Sequence, residues 1–371
     1  MVDLKSQYAS IKPLIDDAIM NVVSSAQFIN GPEVKAFQKE LANYLGVKHV
    51  ITCGNGTDAL QISMMALDLK PGDEVITPSY TYIATTEVIG LLGLKPVFVD
   101  CDPDTFNISP SAIEKAITPK TKAIVPVHLY GQACEMQAIM KIAEENNLFV
   151  VEDNAQAIGC EYKWNGKLKK TGTIGHIGCT SFFPSKNLGC YGDGGAICTN
   201  DDELAVQLRM IANHGQSKRY YHDRVGCNSR LDAVQAAVLR IKLKELDNYS
   251  SRRNKAALFY DNAFKDEIAL KTPFRSSHCN HVFHQYTLQL SDEYSRDDLV
   301  AYLAINSVPA MIYYPVPAHQ QKMFSVLPTS SGDLGTTEWL TSRVFSLPMH
   351  TELKPEQLKY IVSTVKEFLH K

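Results

Sequence analysis

The sequence predicts an α/β fold built on a mostly parallel β-sheet. Between residues 49 and 200, short β-rich runs alternate with segments of helical pattern, which is typical of βαβ units. The pattern predicts helices from Thr57 to Leu67, from Cys134 to Asn147 and from Asp201 to Ala212. The β-rich runs read HVITC, EVITPSY, KPVFVD, AIVPVHLYG, LFVVED, TSFFPS and GAICTN. We therefore expect seven strands in one sheet, with helices covering both of its faces.

The chain changes character after Arg230. A long helical stretch rich in Ala, Leu and Lys leads into the strand-like segment HVFHQYTLQL, and Ser295 and Asp298 then form a helix-start pattern. We place a domain boundary near residue 240, which gives a large domain over residues 1–240 and a smaller α/β domain over residues 241–371. The segment from Trp164 to Lys170 is predicted to form a solvated hairpin.

Composition excludes several classes of protein. A net charge of −3 without a long basic run argues against binding to nucleic acid. Nine cysteines without a CxxC pair are typical of buried free thiols in a reducing compartment, so we expect a cytoplasmic protein. The N-terminal segment lacks an apolar signal core, and no stretch of about 18 apolar residues follows, so no membrane association is predicted.

The first candidate site is the turn from Asn55 to Asp58, which follows a strand and opens a helix. The N-terminus of a helix offers unpaired N–H groups and the positive end of the helix dipole. Gly56 would let a phosphate approach the backbone, and Thr57 adds a hydroxyl donor. The same sequence also fits an ordinary capped turn, and only the other sites favour the phosphate-binding interpretation.

The second candidate site is the end of the strand VVED, where ligands of open α/β sheets bind. A carboxylate facing a pyridine nitrogen keeps that nitrogen protonated and makes the ring an electron sink. Asp153 is the candidate for this role. The alternative is that Asp153 or Glu152 only caps the following turn.

The third candidate site is Lys186, within SFFPSKNLG and just before the glycine-rich GDGG. A proline-set turn and close backbone approach at glycines would surround this lysine with protein atoms. Loss of solvation lowers the pKa of a lysine and frees its neutral amine for Schiff-base chemistry. Most lysines are solvated surface charges, and it is the neighbouring sequence that favours a reactive one.

Several motifs resemble those of the DegT/DnrJ/EryC1/StrS family of nucleotide-sugar aminotransferases. NGTDAL, SYTYIAT, VEDNAQAIG, SFFPSKNLGCYGDGGAI, HGQ and NSRLDAVQAA stand in the family's order, and the resemblance covers nearly the whole chain. It implies the type I fold of enzymes dependent on pyridoxal 5'-phosphate (PLP), with a mixed, mostly parallel seven-stranded sheet. It also implies that Lys186 binds the cofactor covalently and that Asp153 pairs with the pyridine nitrogen. Further implied cofactor contacts are Gln156 and Tyr82 on the two ring faces and Gly56, Thr57 and Ser181 at the phosphate.

The resemblance also implies a homodimer with shared active sites, because Asn228 matches a residue that reaches the phosphate from the second subunit. Arg230, Tyr313 and Tyr314 resemble substrate contacts. The implied amino donor is L-glutamate, and the implied acceptor is a nucleotide-linked keto-sugar. The resemblance favours UDP-2-acetamido-2-deoxy-3-keto-glucuronate as that sugar. Similar members carry histidine where this chain has Tyr313. A dTDP-3-keto-6-deoxyhexose and a 4-keto-sugar are therefore alternative acceptors.

Other functions fit the sequence less well. The histidines at positions 278, 281 and 284 are three residues apart, a step at which neither a strand nor a helix brings them together, so no metal site is predicted. His128, His176 and His214 are isolated and are expected to be structural. A Rossmann oxidoreductase would carry G-x-G-x-x-G after the first strand, and none is present. Lys186 itself disfavours a non-catalytic sensor and the family's dehydratases, which have histidine at that position.

Overall fold

A computed structural model describes all 371 residues. Its helices are α1 (Leu4–Ser25), α2 (Pro32–Leu45), α3 (Gly56–Ala66), α4 (Ala84–Leu91), α5 (Pro110–Ala116), α6 (Met136–Glu145), α7 (Asp202–Ile211), α8 (Ala233–Phe264), α9 (Arg296–Ile305), α10 (Gly335–Arg343) and α11 (Pro355–Leu369). Its strands are β1 (His49–Cys53), β2 (Glu74–Pro78), β3 (Lys95–Val99), β4 (Thr121–Ile124), β5 (Phe149–Asp153), β6 (Glu161–Trp164), β7 (Lys167–Lys170), β8 (Ile177–Ser181), β9 (Gly195–Thr199), β10 (Gln216–Lys218), β11 (Tyr221–His222), β12 (Leu270–Lys271), β13 (Tyr286–Leu290), β14 (Ser330–Ser331) and β15 (Val344–Leu347). The three helices predicted between residues 57 and 212 are confirmed as α3, α6 and α7, with ends within two residues of those expected.

The central sheet is mixed and mostly parallel, in the order β1-β9-β8-β5-β4-β2-β3-β14. Only β9 runs antiparallel to its neighbours, β1 and β8. Each of the seven predicted β-rich runs overlaps a strand of this sheet, although TSFFPS shares only Thr180 and Ser181 with β8. The predicted number is wrong, because β14 adds an eighth strand parallel to β3. Two serines carry no β-rich pattern, and only tertiary contact with β3 makes them a strand.

Helices cover both faces of this sheet, as predicted. Successive strand residues point to opposite sides, so Val150 faces one core cluster while Val151 faces the other. The cluster on one face joins the sheet to α3, α4 and α7. On the other face, one cluster joins the sheet to α5 and α6, and another joins it to α2 and α8. The carboxyl ends of the parallel strands therefore open along one rim between these layers.

The C-terminal part packs around an antiparallel sheet in the order β12-β13-β15. Helices α8, α9 and α11 bury their apolar sides against it in a separate core. The side chain of Ser295 caps α9 by accepting from the N–H of Asp298, as its sequence pattern predicts. Residue 240 lies inside the continuous helix α8, and the division into residues 1–240 and 241–371 stays a prediction.

Three smaller features bear on the sequence predictions. Strands β6 and β7 form the predicted hairpin, with Asn165 and Gly166 at positive φ in its two-residue turn. All nine cysteines are free and seven of them are buried; Cys227 and Cys279 are partly exposed. No helix combines the length and apolarity that a membrane crossing needs.

Candidate active site

A cavity of about 800 Å³ opens at the carboxyl ends of the parallel strands. Ligands of open α/β sheets bind at this rim. The cavity brings together nine residues that the sequence assigned to a site: Gly56, Thr57, Tyr82, Asp153, Gln156, Ser181, Lys186, Tyr313 and Tyr314. Asn228 and Arg230 do not line it within one chain.

The N-terminus of α3 forms one end of the cavity. Asn55 caps the helix by accepting from the N–H of Asp58 at 2.8 Å. The N–H groups of Gly56 and Thr57 lie in the first turn, where no intrahelical acceptor precedes them. A Cβ atom at Gly56 would lie 2.7 Å from the Cβ of Ser181, so only glycine lets α3 approach β8 this closely. Two free N–H groups, the Thr57 hydroxyl and Ser181 therefore share one corner, which suits a phosphate.

Glu152 and Asp153 end β5 and have different surroundings. The Glu152 carboxylate is fully buried, and the imidazole of His128 and the N–H groups of Gly172, Ile174 and Gly175 donate to it over 2.6–2.8 Å. Burial alone would raise the pKa of Glu152, but these donors outweigh it and hold the pKa below its ordinary value. Glu152 is thus a structural anchor, and His128 is the structural histidine that the sequence predicts.

Asp153 lines the cavity and is held by two donors. Its Oδ2 accepts from the Thr85 hydroxyl at 2.7 Å, and its Oδ1 accepts from the N–H of Ala155 at 3.1 Å. The Thr81 hydroxyl lies 3.1 Å from that of Thr85 and supports it. Each carboxylate oxygen keeps acceptor capacity for a further donor inside the cavity. The contact to Ala155 is the turn cap of the alternative interpretation, but it uses only one of the two oxygens.

Lys186 lies on a tight turn after β8. Its N–H donates to the carbonyl of Phe183 at 2.8 Å, and a Cβ atom at Gly189 would lie 2.4 Å from the carbonyl oxygen of Pro184. Burial within the cavity lowers the pKa of Lys186 to about 8, although the charge of Asp153 opposes the shift. A substantial fraction of the amine is therefore neutral near physiological pH, as nucleophilic chemistry requires.

A second set of side chains faces the first across the cavity. The Gln156 amide donates to the Tyr314 hydroxyl at 3.0 Å and accepts from the N–H of Tyr130 at 2.7 Å. Tyr82 is 56% exposed, and its ring centre lies 6.1 Å from that of Tyr314. The rings of Tyr82 and Tyr314 and the Gln156 amide thus line a space suited to a flat ring.

Among the residues that line or support the cavity and that the sequence did not assign to a site are Thr85, Tyr130, His284 and Gln285. His284 is 7% exposed, and its Nδ1 has no hydrogen-bond partner. Burial, with the nearby charges of Lys186 and Arg253, puts the pKa of His284 well below the ordinary value, so its imidazole is neutral. Thr85 follows Tyr82 by three residues in the motif SYTYIAT, and this spacing could have identified it as a further site residue. No side chains in the structure form a group suited to a metal ion.

Asn228 and Arg230 flank Ser229, which is buried against α3. The Ser229 hydroxyl donates to the Asp58 carboxylate at 2.5 Å and accepts from the N–H of Gly54 at 2.8 Å. In an extended segment the neighbours of an inward residue project outward. Asn228 is accordingly exposed and Arg230 partly exposed, next to the helix end but outside the cavity of their own chain.

The fold and cavity define the class of the protein, an α/β aminotransferase. The chain belongs to the DegT/DnrJ/EryC1/StrS aminotransferase family, whose sequence model matches residues 9–366. Solved structures agree. A DegT/DnrJ/EryC1/StrS aminotransferase from Brucella abortus is 42% identical, with a TM-score of 0.94 over 100% of this chain and 99% of that one. NtdA from Bacillus subtilis, solved with bound cofactor PMP, is 32% identical, with a TM-score of 0.89 over 98% and 82% of the two chains.

Curated relatives align along their whole length. The UDP-2-acetamido-2-deoxy-3-oxo-D-glucuronate aminotransferase of Pseudomonas aeruginosa is 46% identical, with 98% of each chain covered. The UDP-N-acetyl-3-dehydro-α-D-glucosamine 3-aminotransferase of Acidithiobacillus ferrooxidans is 43% identical, covering 100% of this chain and 98% of its own. A protein of Geobacillus stearothermophilus named pleiotropic regulatory protein is 46% identical, covering 99% and 98%.

Proposed function

We propose that the protein transfers an amino group from L-glutamate to a nucleotide-linked keto-sugar with the help of PLP. The observation that carries the proposal is the juxtaposition of Lys186, Asp153 and the free N-terminus of α3 around one cavity. These are the three groups that PLP chemistry needs: an amine, a carboxylate and a phosphate site. Lys186 also favours catalysis over the regulatory role suggested by the name of one relative.

The residues present fit the cofactor. The corner at Gly56, which a Cβ atom would fill, together with Thr57 and Ser181 would hold the phosphate. Asp153 would face the pyridine nitrogen, and Gln156 and Tyr82 would lie on the two ring faces. When bound, the cofactor supplies an electron sink for the carbanion at the amino-acid Cα. The bound cofactor in NtdA supports this assignment by family likeness.

Each of these residues has a definite task in the proposed reaction. The Lys186 amine, which is partly neutral because burial lowers its pKa to about 8, would move the proton from the Cα of glutamate to the cofactor in the first half-reaction. In the second half-reaction it would move a proton from the cofactor to the sugar carbon that receives the amino group. The negative charge of Asp153, fixed by Thr85 and by the N–H of Ala155, would hold a proton on the ring nitrogen. The same groups would serve both half-reactions, so we expect ping-pong kinetics.

UDP-2-acetamido-2-deoxy-3-keto-glucuronate is the acceptor we propose. The names of two relatives that are 46% and 43% identical support a UDP-linked 2-acetamido sugar with a ketone at C3. They differ in whether the sugar carries a carboxylate. Arg230 could bind that carboxylate through its planar pair of donors. A dTDP-3-keto-6-deoxyhexose and a 4-keto-sugar are the alternatives that a substrate test must include.

The charges that line the cavity favour a homodimer in which each active site receives residues from both chains. The cavity of one chain contains three acidic side chains, Asp58, Asp153 and Asp193, and only one basic side chain, Lys186. The proposed cofactor and sugar nucleotide both carry phosphates, so further cations are needed. Arg230, which is partly exposed and lies outside the cavity of its own chain, is suited to supply one to a second copy, together with Asn228. Free cysteines fit a cytoplasmic location for such an enzyme.

A panel of keto-sugar nucleotides tests the proposed function. The purified protein is incubated with glutamate and each of four acceptors: the UDP-linked uronate, its non-carboxylated 2-acetamido analogue, a dTDP-3-keto-6-deoxyhexose and a 4-keto-sugar. The expected result is stoichiometric 2-oxoglutarate and amino sugar, with the highest kcat/KM for the uronate. No amino sugar from any acceptor, with cofactor bound, would reject the proposed activity.

A further inference from the structure

Tyr130 contacts three separate walls of the cavity. Its backbone N–H donates to the Gln156 amide oxygen at 2.7 Å. Its carbonyl accepts from the N–H groups of His284 at 2.8 Å and Gln285 at 3.3 Å. Its hydroxyl donates to the backbone carbonyl of Tyr313. One residue thus joins segments that lie far apart in the sequence.

The local backbone explains how Tyr130 reaches these walls. Tyr130 has φ +57°, in the left-handed region that non-glycine residues seldom adopt, and Gly131 follows with φ +102°. A Cβ atom at Gly131 would lie 2.9 Å from the backbone nitrogen of His284 and 3.0 Å from that of Phe283. Glycine at position 131 therefore lets the segment of His284 approach, and the turn directs the N–H and carbonyl of Tyr130 to different walls.

Tyr80 reinforces the hydroxyl contact. Its hydroxyl donates to the same Tyr313 carbonyl at 2.7 Å and lies 3.0 Å from the Tyr130 hydroxyl. Both tyrosines are at most 2% exposed. Burial raises the pKa of each hydroxyl above its ordinary value, so both stay protonated and remain donors. Two buried donors converging on one carbonyl fix the backbone that carries Tyr313 and Tyr314.

We propose that Tyr130 is a positioning residue that sets the spacing between the Gln156 wall and the Tyr313–Tyr314 wall, and so determines how the sugar of the acceptor is held. This inference rests on the proposed function, because Tyr313 and Tyr314 are the proposed contacts of the sugar acceptor. The contact to Gln156 uses the backbone. Tyr130→Phe therefore removes the Tyr313 anchor and leaves the Gln156 anchor in place.

Amide hydrogen exchange of the holoenzyme tests the positioning without measuring turnover. In Tyr130→Phe, the peptide over residues 311–316 should exchange at least about fivefold faster than in the wild type, since one buried hydrogen bond is lost. Tyr260→Phe is the matched control, because the Tyr260 hydroxyl is also buried and donates to a backbone carbonyl, that of Pro348, at 3.0 Å outside the cavity. Unchanged exchange in Tyr130→Phe, or equal acceleration in Tyr260→Phe, would overturn the inference.

Kinetics then separate positioning from general loosening. Tyr130→Phe should raise KM for the keto-sugar nucleotide by about tenfold, with a clearly smaller change in the half-reaction with glutamate. Tyr80→Phe should show the same split, and Gly131→Ala should reproduce it by displacing His284. Equal losses in both half-reactions would contradict the assignment. If no keto-sugar nucleotide reacts with the wild type, the proposed function fails, and hydrogen exchange still decides the role of Tyr130.

Discussion

The Thr85 hydroxyl donates a hydrogen bond of 2.7 Å to Oδ2 of Asp153. Thr85 lies in α4 and is fully buried, whereas Asp153 ends β5 at the rim of the cavity. The bond fixes the carboxylate plane without neutralising its charge, because a hydroxyl donor is itself uncharged. Asp153 therefore presents a fixed negative charge where the proposed ring nitrogen would lie.

Asp153→Asn is expected to leave cofactor bound and to lower the turnover rate by more than about tenfold, roughly 1.4 kcal/mol. The amide removes the charge that favours a protonated pyridine. Thr85→Val should cause a smaller loss, because it frees the carboxylate without removing its charge. Single-turnover rates with glutamate measure both effects. A loss below tenfold in Asp153→Asn would show that Asp153 is not the partner of the ring nitrogen.

Lys186→Ala is expected to abolish turnover and the absorbance of the lysine-bound cofactor, while the melting temperature stays close to that of the wild type. The covalent attachment is lost, but no packing in the sheet depends on this side chain. Borohydride reduction followed by peptide mass spectrometry should locate the cofactor on residue 186 in the wild type alone. Turnover near the wild-type rate in this variant would reject the assignment.

The capture of PLP by cofactor-free protein should depend on pH with a midpoint near 8. Only the neutral amine attacks an aldehyde, and burial lowers the pKa of Lys186 from 10.5 to about 8, so the rate should rise with pH and level off above that value. The charge of Asp153 raises this pKa, so Asp153→Asn should move the midpoint to lower pH. Stopped-flow absorbance measures both profiles. A midpoint near 10.5 would mean that the lysine is solvated.

Mixed dimers test whether the sites are shared. Lys186→Ala and the double variant Asn228→Ala, Arg230→Ala should each be inactive as homodimers. A heterodimer of the two contains one site with all groups intact, so it should recover about half of the wild-type activity. Two differently tagged Lys186→Ala chains form the control dimer. Verified heterodimers without activity would show that each site is built from a single chain.

Arg230→Lys tests whether the proposed carboxylate is recognised. An ammonium group cannot reproduce two parallel hydrogen bonds, so kcat/KM for the uronate should fall at least about tenfold more than for the acceptor without a carboxylate. Each acceptor serves as the control for the other in one assay series. Equal losses on both sugars would assign Arg230 to the subunit interface and favour the dTDP-linked 3-keto-6-deoxyhexose as acceptor.

Much of the fold follows from the sequence because local patterns and tertiary packing agree there. The β-rich runs are buried on both faces of the sheet, and the adjacent residues Val151 and Val150 pack into two different core clusters. Ser330 and Ser331 have no such pattern, since contact with β3 alone makes them a strand. Local sequence therefore cannot predict the eighth strand.

The site was predictable where one motif carries both the residue and its surroundings. Lys186 and Asp153 lie in such motifs, and the cavity brings them together. Tyr130 and His284 were missed because their contacts join segments far apart in the sequence. Asn228 and Arg230 lie outside the cavity of their own chain, and their predicted role depends on a second copy.

The pairing of β14 with β3 has a consequence for biosynthesis. While the ribosome extends the chain, Val97 and Phe98 present an open sheet edge until residues 330–331 have been made. Unpaired edges of this kind recruit other strands and promote aggregation. Nascent chains released early, before Ser330, would therefore be the species most dependent on chaperones.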